Sequence, residues 1–216
     1  MTLRIGVEQH PSLFVRAFSC ELPGALATLQ RPEIAGLFAQ SNLAGIEPPD
    51  DALKNAIRDV LRARGYKPTG RGKPSSEYLV RAQAEGALRS INLAVDAGNA
   101  ISLHSGVPIS VVDLERVTLP LQIRCGGPED SYVFNPAGQT IALAGLPCLW
   151  DATGPCANAV KDAQRTKTSD ATLRTLSILW GSRTLIARCD AAYAAYTQLL
   201  RDTGMRIEPV AIDDAA

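Results

Sequence analysis

Polar side chains at helical spacing in the middle of the chain are the first residues that could do chemistry. Asn92, Asp96 and Asn99 lie at i, i+4 and i+7, so an α-helix places them on one face. Most of their neighbours are apolar or small, which predicts a nearly enclosed helix. A buried amide or carboxylate without a hydrogen-bond partner costs about 1–3 kcal/mol. Neighbouring backbone or a bound ligand could supply these partners, and both alternatives stay open.

A second polar group occupies residues 153–170, which we interpret as a long loop between strands. Loops on a rigid scaffold often carry binding groups. The cations of this loop could bind a carboxylate or a phosphate, while its amide, acid and hydroxyl groups orient the ligand. A surface loop that satisfies its own turns is the alternative. The candidate binding residues are Asn158, Lys161, Asp162, Arg165, Thr166, Lys167 and Thr168.

A cationic stretch precedes the middle helix, because Lys and Arg outnumber acids between residues 58 and 89. Its centre is the loop at residues 66–74, which contains two prolines and two glycines. Lys67, Arg71 and Lys73 are therefore candidates for contact with an RNA backbone, where each cation adds salt-dependent affinity. A solvated loop that serves solubility is the alternative.

The motifs of common catalytic sites are missing from the sequence. It has no G-x-S-x-G, no H-E-x-x-H and no Walker loop, and we predict neither a metal site nor a cofactor. A thiol nucleophile at Cys148 or Cys156 would need His104 as its base, and nothing in the spacing requires that pairing. The residues alone assign no catalytic group.

Composition bounds the class of protein. The 216 residues are 46% hydrophobic and carry 22 basic and 22 acidic side chains, so the strong positive excess of many nucleic-acid-wrapping proteins is absent. Five cysteines without a C-x-x-C pair suit a reducing compartment. The N-terminus has no apolar leader, and no stretch approaches the ~20 apolar residues of a membrane span. We expect a cytoplasmic protein without a membrane partner, of open oligomeric state.

The elements that must position these residues follow from periodicity and from turn residues. Helical spacing and caps predict helices over 31–40, 50–64, 75–85, 90–105 and 183–203, with Ser90 as the N-cap of the fourth. Strand patterns occur at 3–7, 13–18, 109–112, 119–124, 132–134, 140–143, 176–180 and 205–212, and residues 213–216 are expected to fray. This order predicts an α+β fold, one domain over 1–216 with mixed β-sheet layers flanked by helices.

A spaced pattern around the middle helix carries a family resemblance. Ser90-Ile91-Asn92, Val95-Asp96, Asn99, Gly106, Pro108 and Asp113-Leu114 resemble a segment of the B3/B4 domain. That is the tRNA-editing domain of the bacterial phenylalanyl-tRNA synthetase beta subunit, also found as free-standing proteins. Weaker similarity extends over residues 73–181, so residues 1–72 and the helix at 183–204 are expected to pack on this core. The resemblance implies hydrolysis of mischarged tyrosyl-tRNA by a positioned water, without a covalent nucleophile.

Three positions depart from the family pattern. Gly98 replaces the threonine of a Thr-Asn pair whose asparagine matches Asn99. Ser110 stands at the family's histidine, and Trp180 falls at the glutamate that reads the tyrosine hydroxyl. An indole cannot accept the phenol proton as a carboxylate does. The resemblance therefore implies a shared scaffold without the tyrosine-reading groups.

Two function hypotheses follow. The first is a stand-alone editing-type protein that binds the 3′ end of an aminoacyl-tRNA and, if it is an enzyme, deacylates mischarged tRNA. The alternative is a non-catalytic module that holds an amino-acid-like metabolite or RNA on the same fold. The sequence lacks any aminoacylation site, so we do not expect a complete synthetase.

Overall fold

Two β-sheets pack face to face, and helices cover the outer face of one of them. The computed structural model describes residues 3–214. The strands are β1 (Arg4–Val7), β2 (Leu13–Glu21), β3 (Ile109–Asp113), β4 (Leu121–Cys125), β5 (Ser131–Val133), β6 (Thr140–Ala142), β7 (Pro147–Asp151), β8 (Gly154–Asn158), β9 (Arg174–Ser182), β10 (Arg206–Pro209) and β11 (Ala211–Asp214). The α-helices are α1 (Pro32–Gly36), α2 (Asp51–Arg62), α3 (Ser75–Ala84), α4 (Leu93–Ser105) and α5 (Ile186–Asp202).

The strands form three sheets. A mixed five-stranded sheet has the order β11-β1-β4-β7-β8, and β1 is parallel to both of its neighbours. An antiparallel four-stranded sheet has the order β10-β2-β9-β3, with the nine-residue strands β2 and β9 paired along their whole length. The short β5–β6 hairpin forms the third sheet. The α+β fold predicted from the sequence is therefore confirmed.

Alternate side chains of a strand point to opposite faces of its sheet. Both faces of the four-stranded sheet are buried, one against the five-stranded sheet and one against the helices. On β9, Leu176, Ile178 and Trp180 face the five-stranded sheet, while Leu179 faces the helices. β2 divides in the same way, with Val15 toward the other sheet and Phe18 beneath α5. The molecule therefore has sheet, sheet and helix layers with two apolar cores. No helix within residues 3–214 combines the length and the apolar character needed to cross a bilayer.

Helix α4 lies in the helical layer, and its N-terminus differs from the prediction. Asn92 is the N-cap, since its Oδ1 accepts a 3.1 Å hydrogen bond from the backbone N–H of Val95. The prediction of Ser90 was wrong because the helix begins only at Leu93, after Asn92 in extended backbone, and Asn is as good an N-cap residue as Ser. Gly106 ends the helix at φ 74°, as predicted.

Four other sequence predictions were corrected. Residues 153–170 are not one loop, because Gly154–Asn158 pairs with β7 as strand β8, and β7 itself was not predicted. The predicted edge strand at 205–212 divides at Val210 into β10 and β11, which join different sheets. Asp213 and Asp214 belong to β11 rather than to a frayed end; residues 215 and 216 lie outside the described range. The predicted helix at 31–40 is α1 followed by a 3₁₀ turn at Leu37–Ala39.

Gly98 lies where α4 approaches β3 and α5. A Cβ at this position would lie 2.9 Å from Val111 Cγ2 and 3.0 Å from the Tyr196 hydroxyl oxygen. We expect Gly98→Thr, the residue of the family pattern, to lower the free energy of unfolding by about 1–3 kcal/mol through overpacking. Chemical denaturation measures this loss. Gly36→Thr is the matched control, since nothing lies within 4 Å of a Cβ on that helical glycine. Equal stability of the two variants would contradict the packing argument.

Candidate functional site

A cavity of about 940 Å³ opens between the start of α3, the β5–β6 hairpin and the chain that follows β8. It brings together two of the three groups of residues singled out in the sequence. Lys161, Asp162 and Lys167 come from the polar segment, and Arg71 and Lys73 come from the cationic loop. The further lining residues are Gly70, Ser75, Glu77, Tyr78, Arg81, Phe134, Asn135, Gln139 and Val160.

Asn158 fixes the turn that carries Lys161 and Asp162 into this cavity. Its Oδ1 accepts hydrogen bonds of 2.8 Å and 2.9 Å from the backbone N–H groups of Val160 and Lys161. This arrangement is an Asx-type turn, in which a side-chain oxygen replaces a backbone carbonyl. The Asn158 Nδ2 donates to the Tyr132 hydroxyl, which in turn donates to the Lys161 carbonyl. Both ends of the turn are therefore fixed by buried side chains.

The positions at which the resemblance places a histidine and the tyrosine-reading glutamate, Ser110 and Trp180, are joined by hydrogen bonds to this turn. The Trp180 Nε1–H donates a 2.9 Å hydrogen bond to the Ser110 hydroxyl oxygen, and the Ser110 hydroxyl donates to the Asn158 carbonyl at 3.2 Å. Ser110 is fully buried, and Trp180 is 2% exposed. These side chains are part of the buried network and do not line the cavity. The two residues at which the resemblance places that histidine and glutamate therefore contact each other within the buried network, and their correspondence to the family positions stays a prediction.

Asp162 is the most perturbed acid at the cavity. Burial raises the pKa of its carboxyl to about 6, although the Ser110 hydroxyl, the Lys167 charge and the backbone N–H of Val111 oppose the rise. Its Oδ2 accepts only a 3.4 Å hydrogen bond from Val111, and its buried Oδ1 has no hydrogen-bond partner. A carboxyl group whose pKa lies near neutrality and whose oxygen is unpaired is a candidate for proton transfer or for binding a cation.

The cavity is otherwise positive. The cavity is lined by Arg71, Lys73, Arg81, Lys161 and Lys167. Of its two acids, Glu77 accepts hydrogen bonds from Arg58 Nε, at 2.6 Å, and from Arg58 Nη2, at 2.5 Å. Burial lowers the pKa of Lys161, and the Arg71 charge lowers it further. Burial also lowers the pKa of Lys167, against the Asp162 charge. The Lys161 Nζ lies 4.1 Å from the centroid of the Phe134 ring, and the Lys167 Nζ donates to the Phe134 carbonyl.

The residues predicted on α4 lie apart from the cavity. Asp96 accepts hydrogen bonds from the Ser90 hydroxyl and from the Ile91 N–H, so neighbouring groups of the chain supply its partners. Asn92 caps the helix, and its Nδ2 donates to Thr168 Oγ1 at 3.1 Å, which joins α4 to the polar segment. Asn99 is half-buried on the same helix. A role for these three residues in ligand binding stays a prediction.

Two of the remaining predicted residues also have structural partners. Arg165 makes a bidentate contact with the buried Asp151, at 2.8 Å and 3.0 Å, and that charge holds the pKa of Asp151 well below its usual range. Thr166 is buried and donates to the Cys156 carbonyl. Lys67 is exposed and does not line the cavity.

The thiol alternative has no support. Burial raises the pKa of Cys156 to about 12, so this group stays a neutral thiol near pH 7. His104 is engaged elsewhere, since its Nε2 lies 2.9 Å from the Leu37 carbonyl oxygen. In the described part of the chain no three His, Cys, Asp or Glu side chains are placed to hold a metal ion.

Sequence reasoning missed Tyr78, Arg81, Phe134 and Gln139 at the cavity. Tyr78 and Arg81 are spaced i, i+3 on α3 and are both exposed, a pattern that helices show on any solvated face. The hairpin residues Phe134 and Gln139 approach the cavity only through tertiary packing. A second cavity, of about 560 Å³, has an apolar wall of Leu53, Ile57 and Val80, and none of the predicted site residues line it. The larger cavity is therefore the candidate site.

Comparisons with known proteins agree with the architecture. The family model of the B3/4 domain matches residues 62–194, more than half of the chain, and the chain therefore belongs to the B3/4 domain family. The fold is similar to an N-terminal fragment of the phenylalanyl-tRNA synthetase beta subunit from Pyrococcus horikoshii, with a TM-score of 0.60 and 10% sequence identity. This match covers 99% of the chain and 52% of the fragment, so the chain spans about half of its length.

A second solved structure, a TILS C-terminal domain, matches 35% of this chain and 71% of that domain. The identity is 18% and the TM-score is 0.31. A search of curated proteins finds no match.

The Tyr132 hydroxyl joins the Lys161 carbonyl to Asn158, so its removal should loosen the turn at the cavity. We expect Tyr132→Phe to lower the free energy of unfolding by about 1–2 kcal/mol, because two buried polar groups lose a partner. Thermal or chemical denaturation tests this. Tyr78→Phe is the matched control, since that ring is 59% exposed. A Tyr132 variant as stable as the control would contradict the proposed importance of the network.

Asp162→Asn should remove a pH-dependent loss of stability. Folding raises the pKa of Asp162 from its usual 3.8 to about 6. Protonation of this carboxyl therefore favours the folded state. This contribution to stability is fully present below about pH 4 and is lost as the pH rises through about 6. As the pH rises from 4 to 7, the free energy of unfolding of the Asn variant should therefore increase by about 2–3 kcal/mol relative to that of wild type.

Denaturation midpoints across this pH range measure that difference. Asp170→Asn is the control, because Asp170 is exposed and is the last residue of the same polar segment. A difference between the Asp162 variant and wild type that does not change with pH would contradict a buried, perturbed carboxyl group.

Proposed function

We propose that this protein binds the 3′ end of an aminoacyl-tRNA in the 940 Å³ cavity and deacylates mischarged tRNA there. The observation that carries the proposal is the charge of the cavity. Five cations line it, of which Arg81 also pairs with Glu85 at 3.7 Å, and its single acid without an ion pair is Asp162, in a chain whose formal net charge is zero. Such a cluster of cations attracts phosphate groups, and the affinity that each contact adds decreases as the salt concentration rises. The family membership and the fold similarity to a phenylalanyl-tRNA synthetase beta fragment support the same substrate class.

The cations of the cavity can be assigned to successive parts of the 3′ end of an aminoacyl-tRNA. Arg71 and Lys73 lie on the loop before α3 and would bind phosphates of the incoming strand. Lys161 and Lys167 are half-buried, whereas Arg71 and Lys73 are exposed, and the two lysines would stabilise the negative charge that develops on the ester carbonyl oxygen. The part of the cavity beside Lys161, Asp162 and Lys167 is therefore the place for the amino-acid ester.

The reaction would be simple hydrolysis. A water oxygen attacks the ester carbonyl carbon, and Asp162 in its ionised form takes the proton of that water. The bond between the carbonyl carbon and the ribose oxygen then breaks, and the proton passes to that oxygen. The products are a free amino acid and a tRNA with its hydroxyl restored. No covalent intermediate is needed, and positioning supplies much of the rate.

Selectivity for tyrosine is not part of this proposal. The Ser110–Trp180 pair fills the positions where the family pattern places its histidine and its tyrosine-reading glutamate. A site without a buried polar partner distinguishes side chains only by size and apolar contact, typically by about 10–200-fold. We therefore propose a broad substrate range.

A non-catalytic binding module for RNA or an amino-acid-like metabolite is the second candidate. The observation that favours it is the burial of Asp162 Oδ1, which has no contact with solvent. A carboxyl oxygen enclosed in this way is out of reach of a water molecule at an ester, so the cations of the cavity would hold a ligand and no turnover would follow.

Deacylation of a panel of mischarged tRNAs tests the first candidate. We expect wild-type protein to release the amino acid from several of them, and Asp162→Asn to slow release at least tenfold while tRNA binding is kept. A gel-shift titration across salt concentrations tests binding itself. Arg71→Ala should weaken binding and reduce the salt slope by roughly one.

Arg206→Ala is the matched control, because that exposed cation on β10 pairs with Glu21, away from the cavity residues. Salt-dependent binding without release from any tRNA would support the binding module. Absence of tRNA binding would contradict both RNA proposals, and mass spectrometry of material released from the purified protein would then identify a metabolite.

A further inference from the structure

Tyr78 is an aromatic side chain left in solvent on the wall of a positively charged cavity. The residue is 59% exposed, although it projects from the well-packed helix α3. Single exposed aromatic residues are ordinary on protein surfaces. What distinguishes Tyr78 is its neighbours, since the cations Arg71 and Lys73 line the same cavity.

Arg81 lies one turn further along α3, with its Cζ 5.6 Å from the centroid of the Tyr78 ring. A ring flanked by a guanidinium group offers a flat π surface and a planar cation together. Unpaired nucleobases bind to such surfaces by stacking, because every base has a π face. The site therefore has the chemistry for a base as well as for a phosphate.

Two side-chain amides also line this cavity. Asn135 Nδ2 donates a 2.9 Å hydrogen bond to Gln139 Oε1, and the backbone N–H of Gln139 donates to Asn135 Oδ1. These bonds hold the hairpin turn and leave the Gln139 Nε2 hydrogens for a ligand. A side-chain amide is a donor that base edges accept.

We propose that Tyr78 is the stacking platform for an unpaired nucleobase, so that the cavity binds the terminal nucleotide of a single-stranded RNA. This inference rests on the proposed function and deepens it, because it names the part of the RNA that binds and the residue that selects an unpaired end. In a duplex the terminal base is paired and stacked on its neighbour, so it offers less of its surface to an aromatic ring than the terminal base of a free strand does. The site therefore prefers a single strand to a blunt duplex.

Fluorescence titration with a short RNA whose 3′-terminal base is 2-aminopurine tests the inference. Stacking on an aromatic ring quenches this probe, so wild-type protein should quench it on binding. Tyr78→Ala and Tyr78→Leu should abolish the quench and raise Kd by about 5- to 150-fold, the range of single base–aromatic stacking. Tyr78→Phe keeps the ring and should stay within about twofold of wild type.

Ile91→Ala is the matched control, because Ile91 is 66% exposed and does not line the cavity. Thermal unfolding checks that every variant is folded. Quench and Kd unchanged in Tyr78→Ala and Tyr78→Leu, with weaker binding in Arg71→Ala, would overturn the base site and leave the proposed function standing. Absence of binding by wild-type protein would overturn both.

Two further ligands identify the source of the base. A blunt duplex of the same sequence should bind less tightly than the single strand, and equal affinity would overturn the inference. Adenosine 5′-monophosphate that binds as tightly as the RNA, with the same loss in Tyr78→Ala, would support the stacking platform. That result would count against the tRNA part of the proposed function.

Discussion

A chain of buried hydrogen bonds through Asn158 holds the cavity wall in place. It connects all three sheets, because Trp180 and Ser110 belong to the four-stranded sheet, Asn158 ends β8 of the five-stranded sheet, and Tyr132 belongs to the hairpin. Each polar group in this chain is satisfied by the next, which is the condition under which a buried network specifies one arrangement. Removing a member leaves a neighbour without a partner, so the network acts as a unit.

The same network explains why a perturbed acid can persist beside it. Asp162 follows the turn that Asn158 fixes, and the residue after it is held by a 2.8 Å backbone hydrogen bond from the Ala163 N–H to the Cys156 carbonyl. Burial of an unpaired carboxyl is unfavourable when it is ionised, and the surrounding sheet contacts offset that cost. An acid held in this way, among cations that are themselves partly desolvated, is the kind of group that functional sites contain.

The position of Trp180 changes how the family resemblance is interpreted. A glutamate at the end of β9 would place a charge in the layer between the two sheets, whereas the indole fills this space and uses its N–H for the Ser110 bond. The glycine at position 98, where the family pattern has threonine, has a related reason. Val111 and Tyr196 occupy the space that a larger side chain would need. Both departures fit close packing of the core, and the charged cavity lies to one side of them.

The sequence by itself determined the α+β class, most helices and strands, and the cationic and polar segments, because periodicity, caps and turn residues act over a few neighbouring positions. It also indicated Lys161, Asp162, Lys167, Arg71 and Lys73 as binding candidates. The tertiary structure decided that these five meet in one cavity, and that Asp96 instead bonds Ser90 and Ile91. It alone revealed strands β7 and β8, which contain Pro147 and Pro155, and the approach of Phe134 and Tyr78 to the same space. Strand pairing and side-chain burial depend on residues far apart in the chain, and local composition carries no record of those contacts.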